Sequence, residues 1–303
     1  MIRPRGSGPT GRQRAVAART AKTILRRRVV NGLMTGVVAI AALLTTLPLV
    51  FILFHLIRAG ASSFSIDFFT QMPKPVGEPG AGMANAIVGT LILIAVACGI
   101  GLPIGIGAGL YLADYGRTRL ANTVRFLADV LNGLPSIVLG VFAWQFLVRP
   151  LGHFSALAGG VALAAMMIPM VTRTTEEMVR LVPTALREAA LALGYSRART
   201  ALAVVLRTAT AGIVTGVLVA VARIAGETAP LLFTAFGNHF WSTRLDQPIA
   251  ALPLQIFYYA TSPYDEWHRL AWAGSLVLIA VVFIISVAAR YATRSRTGGS
   301  HGD

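Results

Sequence analysis

The chain has 303 residues, of which 55% are hydrophobic and only 13% charged, and its mean hydropathy is +0.68. A soluble domain of this size needs far more charged surface, so the composition excludes that class and implies a polytopic membrane protein. A net charge of +15 would suit nucleic acid, but the basic residues sit at the ends of apolar runs rather than on one patch, which excludes that partner and marks topology instead.

Residues 1–30 carry nine basic residues and no acidic one, and read as a disordered cytoplasmic tail that meets anionic membrane lipid. Leu33 to Ile57 follows, about 25 residues, enough for a tilted crossing of a ~30 Å hydrocarbon core. It is too long for a signal-peptide core and no small-residue cleavage site follows, so it reads as a retained first span. Residues 31–83 thus hold this span and an irregular external loop with Pro73, Pro75, Gly77, Pro79 and Gly80.

Residues 84–290 read as the core. Span two, Ala84 to Leu112, carries Gly99, Gly101, Gly105, Gly107 and Gly109, small residues that let helices approach closely in lipid. Asp114 to Arg125 is a short basic loop with Arg117, Arg119 and Arg125. Span three, Phe126 to Val148, is expected to kink at Pro135, with Asp129 interfacial near its cytoplasmic end. A tight turn at residues 149–152 leads to span four, Ala156 to Val171, closed by Pro169.

A cytoplasmic segment, residues 173–207, then separates two apolar spans. Pro183 suits the first turn of a helix, and Leu186, Ala189, Ala190 and Leu193 recur at i, i+3, i+4 and i+7 to give one apolar face. Gly194 supplies the stop, because glycine takes the left-handed C′ conformation without steric cost. Ser196 can cap the next helix, which runs into span five, about Val204 to Phe236. Arg180, Arg187, Arg197 and Arg199 surround this short helix, which is built to touch something in the cytoplasm.

Asn238 to Arg269 reads as an external segment whose Trp241, Tyr258, Tyr259 and Trp267 suit a membrane interface. Span six, Leu270 to Ala289, precedes a small polar cytoplasmic tail, residues 291–303. With both termini inside, the cytoplasmic segments hold 21 of the 27 basic residues. An all-α chain of six transmembrane helices with both ends cytoplasmic is the consistent topology.

Arg223 is the basic residue left inside a span. It lies 16 residues beyond Arg207, roughly 24 Å along a helix at 1.5 Å per residue. Insertion scales put a central arginine at about 2.5–3.5 kcal/mol unfavourable, so it must face a polar cavity or a partner. Glu227, four residues on, shares its face, and the pair is either a structural tie or an anion contact, since a guanidinium fork matches an oxyanion. Pro230 cannot donate to the carbonyl of Gly226, which loosens the helix beside the charged pair. Thr228 and Thr234 are candidate hydroxyl donors there. The residues alone leave both readings open.

No G-x-x-x-x-G-K-[ST] string occurs, so the chain is not expected to hydrolyse ATP and any energy coupling comes through a partner. The single cysteine, Cys98, excludes an intramolecular disulfide framework, and the five scattered histidines predict no metal site and no cofactor.

Glu188-Ala189-Ala190 followed by Gly194 resembles the EAA coupling loop of ABC importer permeases. Three further strings, IPMVTRTTEEMVRLVP from Ile168, VARIAGETAPLLFTA from Val221 and QPIAALPLQIF from Gln247, are similar to the A-type permease subunits of phosphate-specific ABC importers. The resemblance covers roughly residues 85–290. It implies a type I importer permease fold in a bacterial inner membrane. Glu188, Ala189, Ala190 and Gly194 would dock on an ATPase, and Arg223, Glu227 and Thr228 would line the phosphate pathway. The implied partners are a homologous second permease, two ATP-binding subunits and an external phosphate-binding protein. Competing expectations are a sulfate or molybdate permease, a gradient-driven transporter using Arg223 and Glu227 as a relay, or a membrane scaffold that reports phosphate status.

Overall fold

The computed structural model describes residues 11–61, 64–116 and 118–297. The chain divides into two units, residues 1–55 and 56–303. The first is occupied by most of helix α1 (Gly11–Gly60), whose side chains from Arg27 to His55 are all exposed. Residues 11–30, expected to be disordered, are therefore helical, because Ala and Arg are strong helix formers and no Gly or Pro interrupts the chain from Arg12 to Asn31. Residues 1–10 of that expected tail lie outside the described residues.

The second unit opens with α2 (Ile66–Thr70), capped by the Ser65 hydroxyl accepting from the Phe68 amide at 3.2 Å, so that the external loop is not wholly irregular. Helix α3 (Ala84–Asp114) is followed by α4 (Arg119–Gly133), which replaces half of the expected basic loop because Thr118 caps it through the Ala121 amide. Arg117 lies outside the described residues. Helix α5 (Ser136–Ala143) continues through a π-helical turn, Trp144–Val148, into α6 (Arg149–Leu151). Then come α7 (Ala156–Arg180), α8 (Thr184–Ala192) and α9 (Arg197–Arg199), the last running through a π-helical stretch, Thr200–Val205, into α10 (Leu206–Ala225). Helices α11 (Ala229–Thr234), α12 (Leu252–Ala260) and α13 (Asp265–Thr297) complete the chain. The last runs beyond the expected span six into the tail.

Among the described residues, five helical stretches are long and apolar enough to cross a membrane, and the pair α4 with α5–α6 passes only when taken together. That pair is bent by 107°, a break rather than the expected kink. Leu134 adopts an extended backbone (φ −75°, ψ 138°) because Pro135 crowds an α conformation at the residue before it.

The core is built on α7. Helix α3 lies against it through three of the five glycines: a Cβ at Gly101, Gly105 or Gly109 would lie 3.3, 2.8 or 2.5 Å from Met167, Val171 or Thr175, while Gly99 and Gly107 meet open space. Helix α10 packs on α7 in the opposite direction, Gly216 against Thr174 and Gly212 against Met178. Pro169 does not close α7. It is buried within it, and the packing of Met167 and Val171 holds the turn where the amide is missing.

Part of the segment expected to be external is packed into the core, while Trp241 and Tyr258 stay exposed. Ile249, Ala251 and Leu254 share a cluster with Leu93 and Leu163, and Tyr259 is 2% exposed and stacked on Trp267 at 4.8 Å rather than interfacial. Its carbonyls at Gln247 and Leu245 accept from the amides of Ala156 and Leu157, both at 2.9 Å, and so satisfy the N-terminus of α7.

Candidate functional site: an exposed short helix, a charge cluster and a helix break

Helix α8 starts at Thr184, with Pro183 as its N-cap rather than its first residue. It ends as its sequence demands: Gly194 is left-handed at φ +84°, its amide donates to Leu191 O at 2.9 Å, and the Tyr195 amide donates to Ala190 O at 3.1 Å. This is the paired six-to-one and five-to-two closure of a Schellman motif. Ser196 caps α9 through the Arg199 amide at 3.3 Å, and Arg199 stacks over the Tyr195 ring at 4.5 Å. Of the expected apolar face only Ala190 is buried, whereas Leu186, Ala189 and Leu193 are exposed beside the exposed Glu188. Arg187 ion-pairs with Asp114 at the end of α3 and donates to Val179 O at 2.9 Å.

Behind α8 lies a cluster that the sequence reading missed. Glu176, 2% exposed, receives Arg125 Nε at 2.8 Å, Arg180 Nη2 at 2.6 Å and Arg173 Nη1 at 3.3 Å. Arg125 also donates to Gly116 O at 2.8 Å and Leu112 O at 3.0 Å, so one guanidinium ties α3, α4 and α7 together. Arg173 Nε reaches Asp129 at 3.0 Å, which makes Asp129 an ion-pair partner of α7 and not merely an interfacial carboxylate. The signal was present in the sequence as Arg173, Glu176 and Arg180, spaced three and four residues apart on one helix face.

Further along α10, the expected loosening is realised as a break. The helix stops at Ala225, the Gly226 and Glu227 amides reach back only to Arg223 O and Ile224 O, both at 3.3 Å, and α11 starts at Ala229 with Pro230 in its first turn. Arg223 lies on the last turn of α10 and Glu227 and half-buried Thr228 lie in the break, so the three expected pathway residues are adjacent. Arg223 Nε is 3.9 Å from Glu227 Oε1, and Nη1 is 3.7 Å from Met170 Sδ on α7. With its side chain 48% exposed, this guanidinium keeps most of its donors available. Thr234 does not join it, because its hydroxyl is fully buried and donates to Pro230 O at 2.8 Å. Among the described residues, no group of three or more His, Cys, Asp or Glu is placed to hold a metal.

The arrangement is that of a membrane protein with an exposed short helix at one end, a charge cluster behind it and a half-exposed arginine in the last turn of α10. Residues 101–297 match the family described as binding-protein-dependent transport system inner membrane component. The chain is 50% identical over 243 residues to the phosphate transport system permease protein PstA of Yersinia pestis, covering 80% of this chain and 82% of that protein. It is 48% identical to the PstA of Xylella fastidiosa, covering 88% and 93%, and 37% identical to a probable PstA of Methanocaldococcus jannaschii, covering 90% and 96%. In fold it is similar to a chain of the bacterial alginate ABC transporter (TM-score 0.62, 13% identity, 91% of this chain and 98% of that one). It is likewise similar to a chain of the MetNI methionine ABC transporter (TM-score 0.56, 21% identity, 71% and 97%).

Proposed function

Because this chain belongs to the PstA family of phosphate transport system permeases, within the binding-protein-dependent inner membrane components, we propose that it forms part of the translocation pathway of an ATP-driven importer of inorganic phosphate. It is a multi-pass protein of the inner membrane, and the observation that carries the pathway reading is Arg223: a half-exposed guanidinium in the last turn of a span, beside a helix break and only loosely paired with Glu227. A fully paired arginine would have no field left for an anion. At 3.9 Å the carboxylate stays close enough to neutralise an empty site and loose enough to yield to phosphate oxygens, which a planar guanidinium can grip in pairs. Thr228 adds a hydroxyl beside it.

In this reading both termini are cytoplasmic, and the chain itself does not hydrolyse ATP. It works with a homologous second permease, two ATP-binding subunits and an external phosphate-binding protein. Glu188, Ala189, Ala190 and Gly194 form the docking end: exposed Leu186, Ala189 and Leu193 offer apolar surface, and Gly194 fixes where the helix stops. Closure of the ATPase pair pushes α8. The Arg187–Asp114 pair and the Glu176 cluster carry that push into α3, α4 and α7, and the pathway beside Arg223 opens to one side or the other.

The experiment is uptake of labelled phosphate by cells carrying the parent chain or Arg223→Gln at matched membrane abundance, with unlabelled sulfate and molybdate as competitors. Loss of uptake in the variant, with only phosphate competing in the parent, supports the reading. Normal uptake by Arg223→Gln returns Arg223 and Glu227 to a structural pair.

A further inference from the structure

We propose that Arg173 is a second anion-contacting residue of the pathway, one helical turn nearer the coupling helix than Arg223, with Asp129 as its displaceable counterion. The proposal rests on the phosphate reading above and adds a station to it.

The placement follows from α7. Arg223 touches Met170, and Arg173 is three residues further along the same helix, about 4.5 Å at 1.5 Å per residue and on the neighbouring part of the same face. The direction is fixed by the packing register: α10 runs against α7 with Gly216 on Thr174 and Gly212 on Met178, so a step from Met170 toward Arg180 is a step from Arg223 toward α8. An anion released by Arg223 and moving that way meets the guanidinium of Arg173 next.

The bonding of Arg173 differs from that of its neighbour in the cluster. Arg125 uses Nε, Nη1 and Nη2 on Glu176, Gly116 O and Leu112 O, and its side chain is only 18% exposed, which is the pattern of a structural tie. Arg173 is 31% exposed; Nη1 anchors it to Glu176, while Nε and Nη2 both go to Asp129, itself 59% exposed. A forked contact with a solvated carboxylate is what a phosphate can replace, because both ligands present two oxygens to the same pair of N–H groups. The charges support it. Arg125, Arg173 and Arg180 face Glu176 and Asp129, leaving the cluster with one net positive charge that becomes two when Asp129 swings away. Glu176 stays in place and keeps the guanidinium oriented.

The opposing account is a static clasp between α4 and α7. The two separate in proteoliposomes holding the complete transporter, with labelled phosphate uptake measured while unlabelled inorganic phosphate is added on the ATPase side. Arg173→Gln is expected to lower uptake by about tenfold or more, and Arg173→Lys to recover part of it. Asp129→Asn should reduce several-fold the ATPase-side phosphate concentration that half-inhibits uptake, since the competitor for Arg173 is gone. The double variant Arg173→Gln/Asp129→Asn, a neutral pair, should stay as low as Arg173→Gln. Uptake by Arg173→Gln within twofold of the parent, recovery in the double variant, or unchanged inhibition in Asp129→Asn overturns the proposal. The Asp129→Asn arm decides the matter even where Arg173→Gln does not assemble. A parent complex that moves no phosphate overturns both this inference and the reading beneath it, whereas parent uptake with an unaffected Arg173→Gln overturns this inference alone.

Discussion

Arg187, the residue immediately before Glu188 in α8, is ion-paired with Asp114, the last residue of α3. Helix α8 therefore has a charged link to α3, the helix that lies along α7, reinforced by the bond from Arg187 to Val179 O on α7. Arg187→Ala should therefore raise the ATP hydrolysed per phosphate imported several-fold while leaving the chain in the membrane. The charge-swapped Arg187→Asp/Asp114→Arg should recover part of the coupling, and a swap as uncoupled as the single change would refute a role for the pair.

Glu176 is the anion that keeps three arginines together. Replacing it with Gln leaves those cations without their common partner, and the loss is set near 2–3 kcal/mol, below the figure for fully buried pairs because Arg173 and Arg180 are 31% and 52% exposed to solvent. A lowered midpoint of thermal unfolding in detergent, compared with the exposed neighbour Glu177→Gln as control, is the check.

Two glycines on one helix give opposite expectations. A Cβ on Gly89 would lie 2.0 Å from the carbonyl oxygen of Ala250, a backbone atom held in place because the Leu252 amide donates to Thr90 Oγ1 at 2.8 Å. Gly89→Ala should destabilise by about 1–3 kcal/mol through overpacking. Gly107→Ala meets nothing within 4 Å and should be neutral in the same thermal assay. Equal midpoints for the two would mean that the segment before α12 is not seated as described.

Gly194 is constrained by conformation alone, since its φ is +84° and a Cβ at this position would meet nothing within 4 Å. Gly194→Ala should cost about 1–2 kcal/mol at the end of α8, and Gly194→Asn less, because asparagine tolerates the left-handed region. The ratio of phosphate imported to ATP hydrolysed should fall in that order, and Gly194→Ala coupling as well as the parent would refute it.

The spans, the stop at Gly194 and the loosened helix after Arg223 were legible in the sequence because each is dictated locally: by apolar length, by a backbone conformation only glycine adopts freely, and by a missing proline amide. Pro169 misled because the same missing amide is tolerated where neighbours hold the turn, and that depends on α3, more than fifty residues earlier. The segment Ile249–Leu254 misled in the other direction: its apolar residues sit among loop-forming neighbours in the chain, although they are buried against Leu93 and Leu163. Arg173 and Asp129 lie 44 residues apart, and no local pattern pairs them.

The break in α10 also bears on the life of the chain before assembly. A guanidinium left half uncovered in the last turn of a span costs up to about 2.5–3.5 kcal/mol where it faces hydrocarbon. If Arg223 is covered only in an assembled transporter, a copy without its partner keeps that cost, and its lifetime in the membrane should be shorter than that of an assembled copy.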